Sequence, residues 1–346
     1  MVPVTPTFPV LKLPLLAREN VIRRMTCLDR MSFSLCSKRS KRFLKSLRIS
    51  IQEVQIQISN AITLSIPKMD EEEYKFTFDN PAECLESSFT VTGSMLHVWE
   101  DEDGDWHEGE NEKSTFNIPN FSVREWVAHI LDIIDSPSLS LEFHEDCDLF
   151  SVRDINQLIG NLERAELTIY EQSTPNEYLL EVLETFRPTK YLCLSENPFP
   201  NALTFRKYLR HSIDAVILRK NLKININEIY SMNCISASIH NPQISTSTLN
   251  TMLKVWTEGW TPRMKLISLH YSLRRLGENY MEEILDGLEY LKIEEERTLK
   301  EPLSDASRTF EKSYDIVRKD GQRATVYPRI YSDGDGMGME VYITDE

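Results

Sequence analysis

A slow alternation of short apolar segments and longer amphipathic segments from residue 138 onward constrains the fold more than any other feature of this sequence. The short segments are rich in Leu, Ile, Val or Tyr, which is typical of β-strands, and helix-compatible stretches separate them. Successive strand candidates begin about 20 to 31 residues apart, the window of leucine-rich-repeat architecture. The strand candidates are Leu139–Phe143, Glu166–Tyr170, Tyr191–Ser195, Ala215–Leu218, Ile235–Ile239 and Leu266–His270, and the helix candidates include Asn176–Phe186, Ala202–Arg210 and Thr248–Trp256.

Units of this size cannot bury their apolar faces alone, so they must stack on one another. The pattern predicts a curved, mostly parallel, leucine-rich-repeat-like sheet backed by helices. No intact LxxLxLxxN motif is present, so an ordinary α/β sheet is the alternative. Farther along, alternating segments flank Asp320-Gly321, which predicts a C-terminal β-hairpin. The charged segment Glu294–Glu311 between repeat and hairpin is helix-compatible and is interpreted as a linker.

The first 137 residues follow other periods. Helical spacing of apolar residues predicts helices over Leu15–Met25 and Asp29–Leu47, and a later helix over Ser122–Ile134. Between them, two-residue alternation predicts strands, an example being Val54, Ile56 and Ile58 between glutamines. The overall expectation is an α+β chain with three segments. These are a helical segment at 1–50, a strand-rich connecting region with one helix at 51–137, and the α/β repeat-like domain at 138–346.

Charge is distributed unevenly along the chain. The net charge is −15, yet residues 1–50 hold eleven Lys or Arg and two acids, a balance of +9 that leaves −24 for the remainder. Such separate poles indicate separate partners, and the acidic remainder argues against nucleic acid as a ligand. The cluster Lys38–Arg42 is open to three interpretations: a nuclear-localisation or nucleic-acid patch, a solvated helix face, or a surface that steers association with an acidic partner.

The absence of several sequence motifs limits the cellular compartment and the chemistry expected of this protein. No apolar run approaches the roughly 18 residues of a membrane span, and no signal peptide is evident, so we expect a cytoplasmic or nuclear protein that is neither secreted nor membrane-bound. The six cysteines form no CxxC pair, which excludes a zinc ribbon on spacing. The acidic loop Glu100–Glu112 has Trp106 where a calcium-binding EF-hand loop requires glycine. Nucleophile-elbow, P-loop and HExxH motifs are missing too. We therefore predict no catalytic residue, cofactor or metal, and a protein that is not an enzyme.

Two regions resemble a known family. Leu13-Pro14, Val21-Ile22, Met25, Asp29 and the stretch Leu35–Lys41 resemble an F-box. In the C-terminal part, Leu253–Gly259, Pro262–Met264 and Asp315–Val326 resemble the F-box-associated domain of the second type, found in the expanded F-box proteins of nematodes.

The resemblance implies a non-catalytic substrate-recognition subunit of a Skp-cullin-F-box ubiquitin ligase. The F-box would bind a Skp-type adaptor, and through it a cullin, while the C-terminal domain would bind a protein target. The alternative is an adaptor-bound interaction scaffold without ubiquitination activity. The apolar residues expected at the adaptor are Leu13, Pro14, Leu16, Val21, Ile22, Met25, Leu28 and Leu35.

Strand parity predicts a target surface. Alternate side chains of a strand point to opposite faces, so Leu167 and Ile169 should face the helices, and their neighbours should face outward. The alternative is that helices or the C-terminal hairpin cover both faces, as the apolar sequence of Ala215–Leu218 would fit. The residues expected on the outward face are Thr168, Tyr170, Tyr191, Cys193, Ser236, Ser238, His240, Ser268 and His270.

Overall fold

The computed structural model describes residues 10–49, 53–67, 72–79, 90–100, 106–117, 121–134, 138–160, 164–170, 173–219, 222–240, 242–260, 263–272, 279–330 and 336–344. The chain divides into two compact units, Met1–Arg164 and Ala165–Glu346. The division into 1–50, 51–137 and 138–346 stays a prediction. Within the described ranges, no helix has both the length and the apolar character needed to cross a bilayer.

The described part of the first unit begins with a 3-10 turn, Val10–Lys12, and three helices, α1 (Leu15–Arg23), α2 (Cys27–Leu35) and α3 (Lys38–Ser46). Hydroxyl groups cap two of them: Thr26 accepts from the amide of Asp29, and Ser37 accepts from the amide of Ser40. Each cap satisfies a backbone donor that the first helical turn leaves unpaired. The prediction of one helix over Asp29–Leu47 is therefore wrong, because the extended backbone of Ser37 separates α2 from α3.

A mixed sheet follows, and its described strands are β1 (Val54–Ile58), β2 (Ala61–Pro67), β3 (Glu72–Asp79), β4 (Thr90–Glu100), β5 (Trp106–Asn117) and β6 (Leu139–Phe143). Their order is β6-β1-β2-β3-β4-β5, and β1 and β6 are parallel while the other neighbours are antiparallel. The acidic loop expected over Glu100–Glu112 is wrong at both ends, because Glu100 belongs to β4 and the residues from Trp106 onward belong to β5. Residues 101–105 of this expected loop lie outside the described residues.

Two helices complete the first unit, α4 (Val123–Ile133) and α5 (Val152–Ile159). A capping box begins α4: Ser122 accepts from the amide of Glu125, and the carboxylate of Glu125 accepts from the amide of Ser122. Trp126 and Ile130 lie one turn apart on α4, and both are buried, as their spacing predicts.

The second unit contains the repeat. Parallel strands β7 (Arg164–Ile169), β8 (Tyr191–Leu194), β9 (Ala215–Leu218), β10 (Ser236–His240) and β11 (Leu266–Ser272) alternate with helices α6 (Asn176–Phe186), α7 (Ala202–Leu209), α8 (Ile226–Ser231) and α9 (Thr246–Thr257). The strands lie side by side in chain order. Leu167, Ile169, Leu192 and Leu194 are all buried, as the two-residue parity predicts.

The C-terminal part consists of α10 (Tyr280–Leu285), β12 (Tyr290–Ile293), β13 (Arg297–Lys300), β14 (Ser307–Phe310), β15 (Ser313–Val317), β16 (Arg323–Ile330) and β17 (Gly336–Thr344). Strand β17 pairs antiparallel with β11, and β16, β15 and β12 follow it outward. The predicted Asp320-Gly321 hairpin is confirmed as β15–β16, and Gly321 adopts a positive φ of 93° that favours glycine. The expected linker at Glu294–Glu311 is wrong: it forms a separate hairpin, β13–β14.

The predicted fold class is confirmed. The chain is α+β, with a helical N-terminal segment, strand-helix repeats and a C-terminal β-hairpin. The helix-compatible sequence of Glu294–Glu311 did not predict this hairpin. Charged residues are compatible with helices and with exposed hairpins alike, so tertiary contacts decide which of the two forms.

Candidate functional site

The first candidate surface, called the α1 surface, lies on the N-terminal helices. Leu15 and Leu16 occupy the first turn of α1 and are 57% and 74% exposed. Pro14 precedes them and is exposed as well. An apolar pair this exposed, beside a proline that fixes the chain, is a candidate contact for another protein. The α1 surface comprises Leu13, Pro14, Leu15, Leu16, Val21, Met25 and Leu35, of which Leu13, Val21, Met25 and Leu35 are half-buried.

Two residues expected at the adaptor belong instead to the core. Ile22 and Leu28 are 0% exposed. A Cβ placed on Gly93 would lie 2.8 Å from Cδ2 of Leu28, so this methyl group packs against the bare backbone of β4. The prediction that Ile22 and Leu28 contact the adaptor directly is therefore wrong. Their side chains, like that of Met31, are buried within the chain.

Polar contacts also join α2 and α3 to α4. The hydroxyl of Ser34 lies 2.8 Å from Nε2 of His129, and both residues are buried. Since Ser34 donates its single proton to the carbonyl of Met31 at 2.6 Å, Nε2 of His129 must be the donor. Burial, together with the charge of Lys41, lowers the pKa of His129 to about 4. The imidazole is therefore neutral at physiological pH. Lys41 also forms an ion pair with Asp132 at 3.0 Å.

The basic residues of the N-terminal segment fall into two groups. Arg18 lies over the ring of Phe43, 4.8 Å from its centroid, and donates to the carbonyl of Leu13, so it stabilises the helical segment. In the cluster Lys38–Arg42, by contrast, Lys38, Arg39 and Arg42 are exposed. They can act on a partner by long-range attraction, and the choice between steering and simple solvation stays a prediction.

The second candidate surface is the outward face of β7–β11. Tyr191 and Ser238 are partly exposed to solvent, so this face is not covered completely. Strand β9, predicted to be buried on both faces, shows alternation instead: Ala215 and Ile217 are half-buried on the outward side. The expected residues that are half-buried on this face are Tyr170, Tyr191, Ser236, Ser238, His240 and His270.

Three residues expected at the target are too buried for that role. Cys193 is 0% exposed, and its Sγ accepts a hydrogen bond from Nε of Arg219 at 3.4 Å. Thr168 and Ser268 are 6% and 7% exposed. Both have short side chains within strands β7 and β11. The prediction that these three residues contact the target is therefore wrong. They lie beneath the outward face and are not part of its accessible surface.

A single line of residues crosses the outward face at the carboxyl ends of the parallel strands. His240 pairs with His270, His270 with Gly338 of β17, and Gly338 with Arg329 of β16. Arg219 directly follows β9 and extends the line on the other side. We call this line the carboxyl-end row; in strand order its members are Tyr170, Ser195, Arg219, His240, His270, Gly338 and Arg329.

Cationic and aromatic groups contact each other along the carboxyl-end row. The rings of His240 and His270 are stacked, with centroids 4.2 Å apart and an interplanar angle of 1°. Nε2 of His270 lies 2.9 Å from the hydroxyl of Ser238. Burial and the nearby charges of His240 and two arginines lower the pKa of His270 to about 4, so its ring is neutral at physiological pH. The guanidinium of Arg219 lies 5.6 Å from the ring centroid of Tyr170.

The hairpin β13–β14 contacts the same face beyond the row. Nη1 of Arg308 lies 2.6 Å from Oε1 of Glu340, and Nη1 of Arg329 lies 3.0 Å from the same oxygen. Glu340 is 1% exposed, so two guanidinium groups neutralise a buried carboxylate. Phe310 packs on Tyr327, with ring centroids 4.3 Å apart. The face is therefore covered in part by a hairpin, although not by the one that was predicted.

Sequence reasoning missed Leu15, Arg219 and Arg329. Leu15 could have been found from its place in the Leu-Pro-Leu-Leu stretch, where a helix has just begun and no earlier turn can cover it. Arg219 directly follows an apolar strand candidate, and a polar residue at the carboxyl end of a parallel strand is a known binding signal. Arg329 has no such signal, because only the register of β16 with β17 aligns it with His270.

The comparisons with known proteins identify two domains. Residues 10–52 match the F-box domain family, and residues 204–269 match the F-box-associated family. The resemblance seen in the sequence is thereby confirmed: the chain carries an F-box domain at its N terminus and an F-box-associated domain in its C-terminal half. Together they indicate an F-box substrate-adaptor protein, and proteins of both families are typically non-catalytic adaptors.

A curated relative spans nearly the whole chain. It is the F-box associated domain-containing protein sdz-33 of Caenorhabditis elegans, 22% identical over 328 residues, which are 93% of this chain and 94% of the relative. No solved structure matches the chain significantly. The part of the chain that the structure describes holds no cluster of three or more His, Cys, Asp or Glu side chains arranged for a metal ion.

Proposed function

We propose that this protein is the substrate-recognition subunit of a Skp-cullin-F-box ubiquitin ligase. It binds a Skp-type adaptor through the α1 surface and a protein target through the second unit. F-box domains typically bind such adaptors within these ligases. The observation that carries the proposal is the exposure of Leu15 and Leu16 beside Pro14, in a helical segment whose other Leu, Ile, Val, Met and Phe side chains are half-buried or buried.

In the proposed role, this chain brings the target close to the ubiquitin-conjugating machinery and does not itself form or break a covalent bond. Holding target and ubiquitin-conjugating machinery on one assembly turns their encounter into an intramolecular event and raises effective concentration. The exposed cations Lys38, Arg39 and Arg42 support this assignment, because they would speed association with an acidic adaptor surface. The proposal places the protein in the cytoplasm or the nucleus.

A second candidate function keeps the adaptor but not the ubiquitin transfer. In this scaffold function, the chain holds adaptor and partner together without target modification. It is favoured by the same α1 surface, so adaptor binding alone does not separate the two functions. A reconstituted ligase with co-purified target separates them: ubiquitin chains on the target support the ligase subunit, and a bound but unmodified target supports the scaffold.

The α1 surface is tested with Leu16→Asp. If the partner covers the 74% of Leu16 that is exposed, its burial contributes about 1–2 kcal/mol, and a buried aspartate adds a desolvation cost. We expect adaptor affinity to fall at least about tenfold, measured by isothermal titration calorimetry. Because Leu16 is mostly exposed, the variant should fold normally, which Ile22→Asp would not.

Leu203→Asp is the matched control. Leu203 is 73% exposed and lies on α7 of the second unit, so the same chemical change is made at equal exposure. Adaptor affinity should be unchanged in this variant. Equal affinities of wild type and Leu16→Asp, or equal losses in Leu16→Asp and Leu203→Asp, would show that the α1 surface is not the adaptor site.

A further inference from the structure

The sheet of the second unit ends in a strand with an open edge. Strand β12 is the last strand in the sheet order, and among the described residues it pairs with β15 alone. In an antiparallel pair, alternate residues direct their N–H and C=O groups to opposite sides, so two of the four residues of β12 offer these groups away from β15. An edge of this kind accepts a further strand from another chain. We call it the β12 edge, Tyr290–Ile293.

The side chains of the β12 edge do not protect it against pairing. Proteins usually block such an edge with a charge, a proline or a bulge. The charge in β12 is Lys292, and its ammonium group is already paired with Oε1 of Glu294 at 2.7 Å. Tyr290 and Leu291 are 51% and 63% exposed. The ring of Tyr290 also contacts Tyr314 of β15, with centroids 5.7 Å apart, which holds it in place. Exposed apolar groups beside open backbone groups indicate a contact with another protein.

Carboxylates lie at both ends of the β12 edge. Residues 286–296 contain five acids and one lysine, a balance of −4, and all five acids are exposed. Within the described part of the chain, Glu289 before the strand and Glu295 and Glu296 after it form no ion pair. These carboxylates favour a partner strand that carries cations at both of its ends.

Cations near β12 do not cancel these charges. Arg297 and Arg323 both bind the carboxylate of the buried Asp315, at 3.0 and 3.5 Å. Lys312 directly precedes β15, the strand on the inner side of β12. Nζ of Lys254 lies beside residue 287, three positions before β12. Even with both lysines counted, acids remain in excess around the β12 edge.

We propose that the β12 edge binds a basic, extended peptide segment of the target protein, which adds to the sheet as a further strand. The inference rests on the proposed function and specifies the chemistry of the target. Backbone hydrogen bonds to β12 hold the segment, and apolar side chains at alternate positions cover Leu291 and Ile293, which point to one face. Cationic side chains beyond its two ends pair with Glu289 and Glu295.

A second copy of this chain fits the β12 edge less well than a basic segment does. Two β12 strands paired antiparallel around a two-fold axis would bring Glu289 of one copy close to Glu294 and Glu295 of the other. Like charges opposite each other destabilise a strand pair, and this contact would occur twice. The charge pattern therefore favours a partner of opposite charge over self-association.

The test uses the full-length chain and the fluorescein-labelled peptide Lys-Lys-Val-Thr-Val-Lys-Lys. Its order reads the same in both directions, so it suits parallel and antiparallel pairing, and its two valines share one face. With the valines beside Leu291 and Ile293, the terminal lysines reach Glu289 and Glu295, which are about 20 Å apart in an extended chain. Fluorescence anisotropy should show saturable binding that weakens as salt rises. A peptide with Glu in place of Lys should bind at least about tenfold more weakly.

N-methylated peptides test strand addition itself. One peptide is methylated at the amides of both valines, and the other at the amides of the threonine and of the lysine two positions after it. In an added strand, only one of these two alternate sets donates to β12. We expect one peptide to bind about fivefold or more weakly and the other to bind nearly as well as the unmethylated peptide.

Leu291→Ser removes an exposed apolar contact and should weaken binding of the Lys peptide about threefold or more. Leu203→Ser is the matched control, because Leu203 is 73% exposed on α7, and it should leave the affinity unchanged. Thermal unfolding of each variant checks that the fold is intact.

The double variant Glu289→Gln with Glu295→Gln should weaken binding of the Lys peptide about fivefold or more. Glu181→Gln with Glu184→Gln changes the net charge equally at two exposed acids of α6, and it should have little effect. Equal losses in the two double variants would mean that the overall charge of the chain attracts the peptide, which contradicts the inference.

Three further results would overturn the inference. They are equal affinity for the Lys and Glu peptides, equal affinity for the two methylated peptides, and a dimer of the full-length chain that Leu291→Ser dissociates in analytical ultracentrifugation. Adaptor affinity is measured on the same preparations. Absence of peptide binding with intact adaptor binding rejects this inference alone, whereas peptide binding without adaptor binding rejects the proposed function alone.

Discussion

The contact between Leu28 and Gly93 offers a direct test of how the F-box helices are built into the first unit. A Cβ added at Gly93 would lie 2.8 Å from Cδ2 of Leu28 and 3.1 Å from ring carbons of Phe116 and Phe76. The three side chains are 0%, 8% and 1% exposed, so none can swing into solvent without uncovering core. We therefore expect Gly93→Ala to destabilise the unit by about 1–3 kcal/mol, the usual cost of overpacking.

A double-mutant cycle makes the cause specific. Leu28→Ala alone should cost about 2–5 kcal/mol through lost burial and a cavity. It also removes the methyl group that the new Cβ would meet. The double variant should therefore be more stable than the sum of the two single costs implies, by at least about 1 kcal/mol. The difference between the summed costs of the single variants and the cost of the double variant is the coupling free energy of the contact between α2 and β4.

Hydrogen exchange read by mass spectrometry on peptides from α2 and β4 provides the free energy of opening for the first unit alone. This matters because a single unfolding transition is not assured in a chain with two compact units. If the costs of Gly93→Ala and Leu28→Ala simply add, Leu28 does not pack on Gly93, and the F-box helices are not part of the core of this unit.

Two further predictions concern buried polar groups. His129 has a pKa of about 4 in the folded chain against 6.5 ordinarily, so the unfolded state takes up its proton first as pH falls, and stability declines from about pH 6.5 toward pH 4. His129→Gln should flatten this decline in urea unfolding, and identical pH profiles would show that the imidazole is not held neutral. Glu340→Gln removes the carboxylate that Arg308 and Arg329 share, each about one-third exposed, while Arg308 keeps its ion pair with Glu301; the change should raise hydrogen exchange in β13–β14, at a cost of about 1–2 kcal/mol. Asp305→Asn, at a fully exposed pair on the same hairpin, should change exchange little, and equal effects would contradict the role of Glu340.

Local pattern was sufficient to predict much of the fold. The two-residue alternation of Leu167 and Ile169 predicted both a strand and its buried face, because strand parity depends only on backbone geometry. The Asp320-Gly321 turn predicted the β15–β16 hairpin for the same reason: a positive φ at Gly321 is a local requirement. The stretch Leu35–Lys41 also carried the F-box resemblance that the family comparison confirmed.

Tertiary structure alone decided which apolar and charged residues are available to a partner. The sequence places Leu16, Ile22 and Leu28 in one apolar set, since helical spacing marks a face but not what covers it. Leu28 packs against β4 and is buried, Ile22 is buried as well, and Leu16 is left exposed. Likewise Arg219 and Arg329 are 110 residues apart in the chain and share a row only through the registers of five strands. Contacts between residues so distant in sequence depend on how whole elements pack, so no local pattern encodes them.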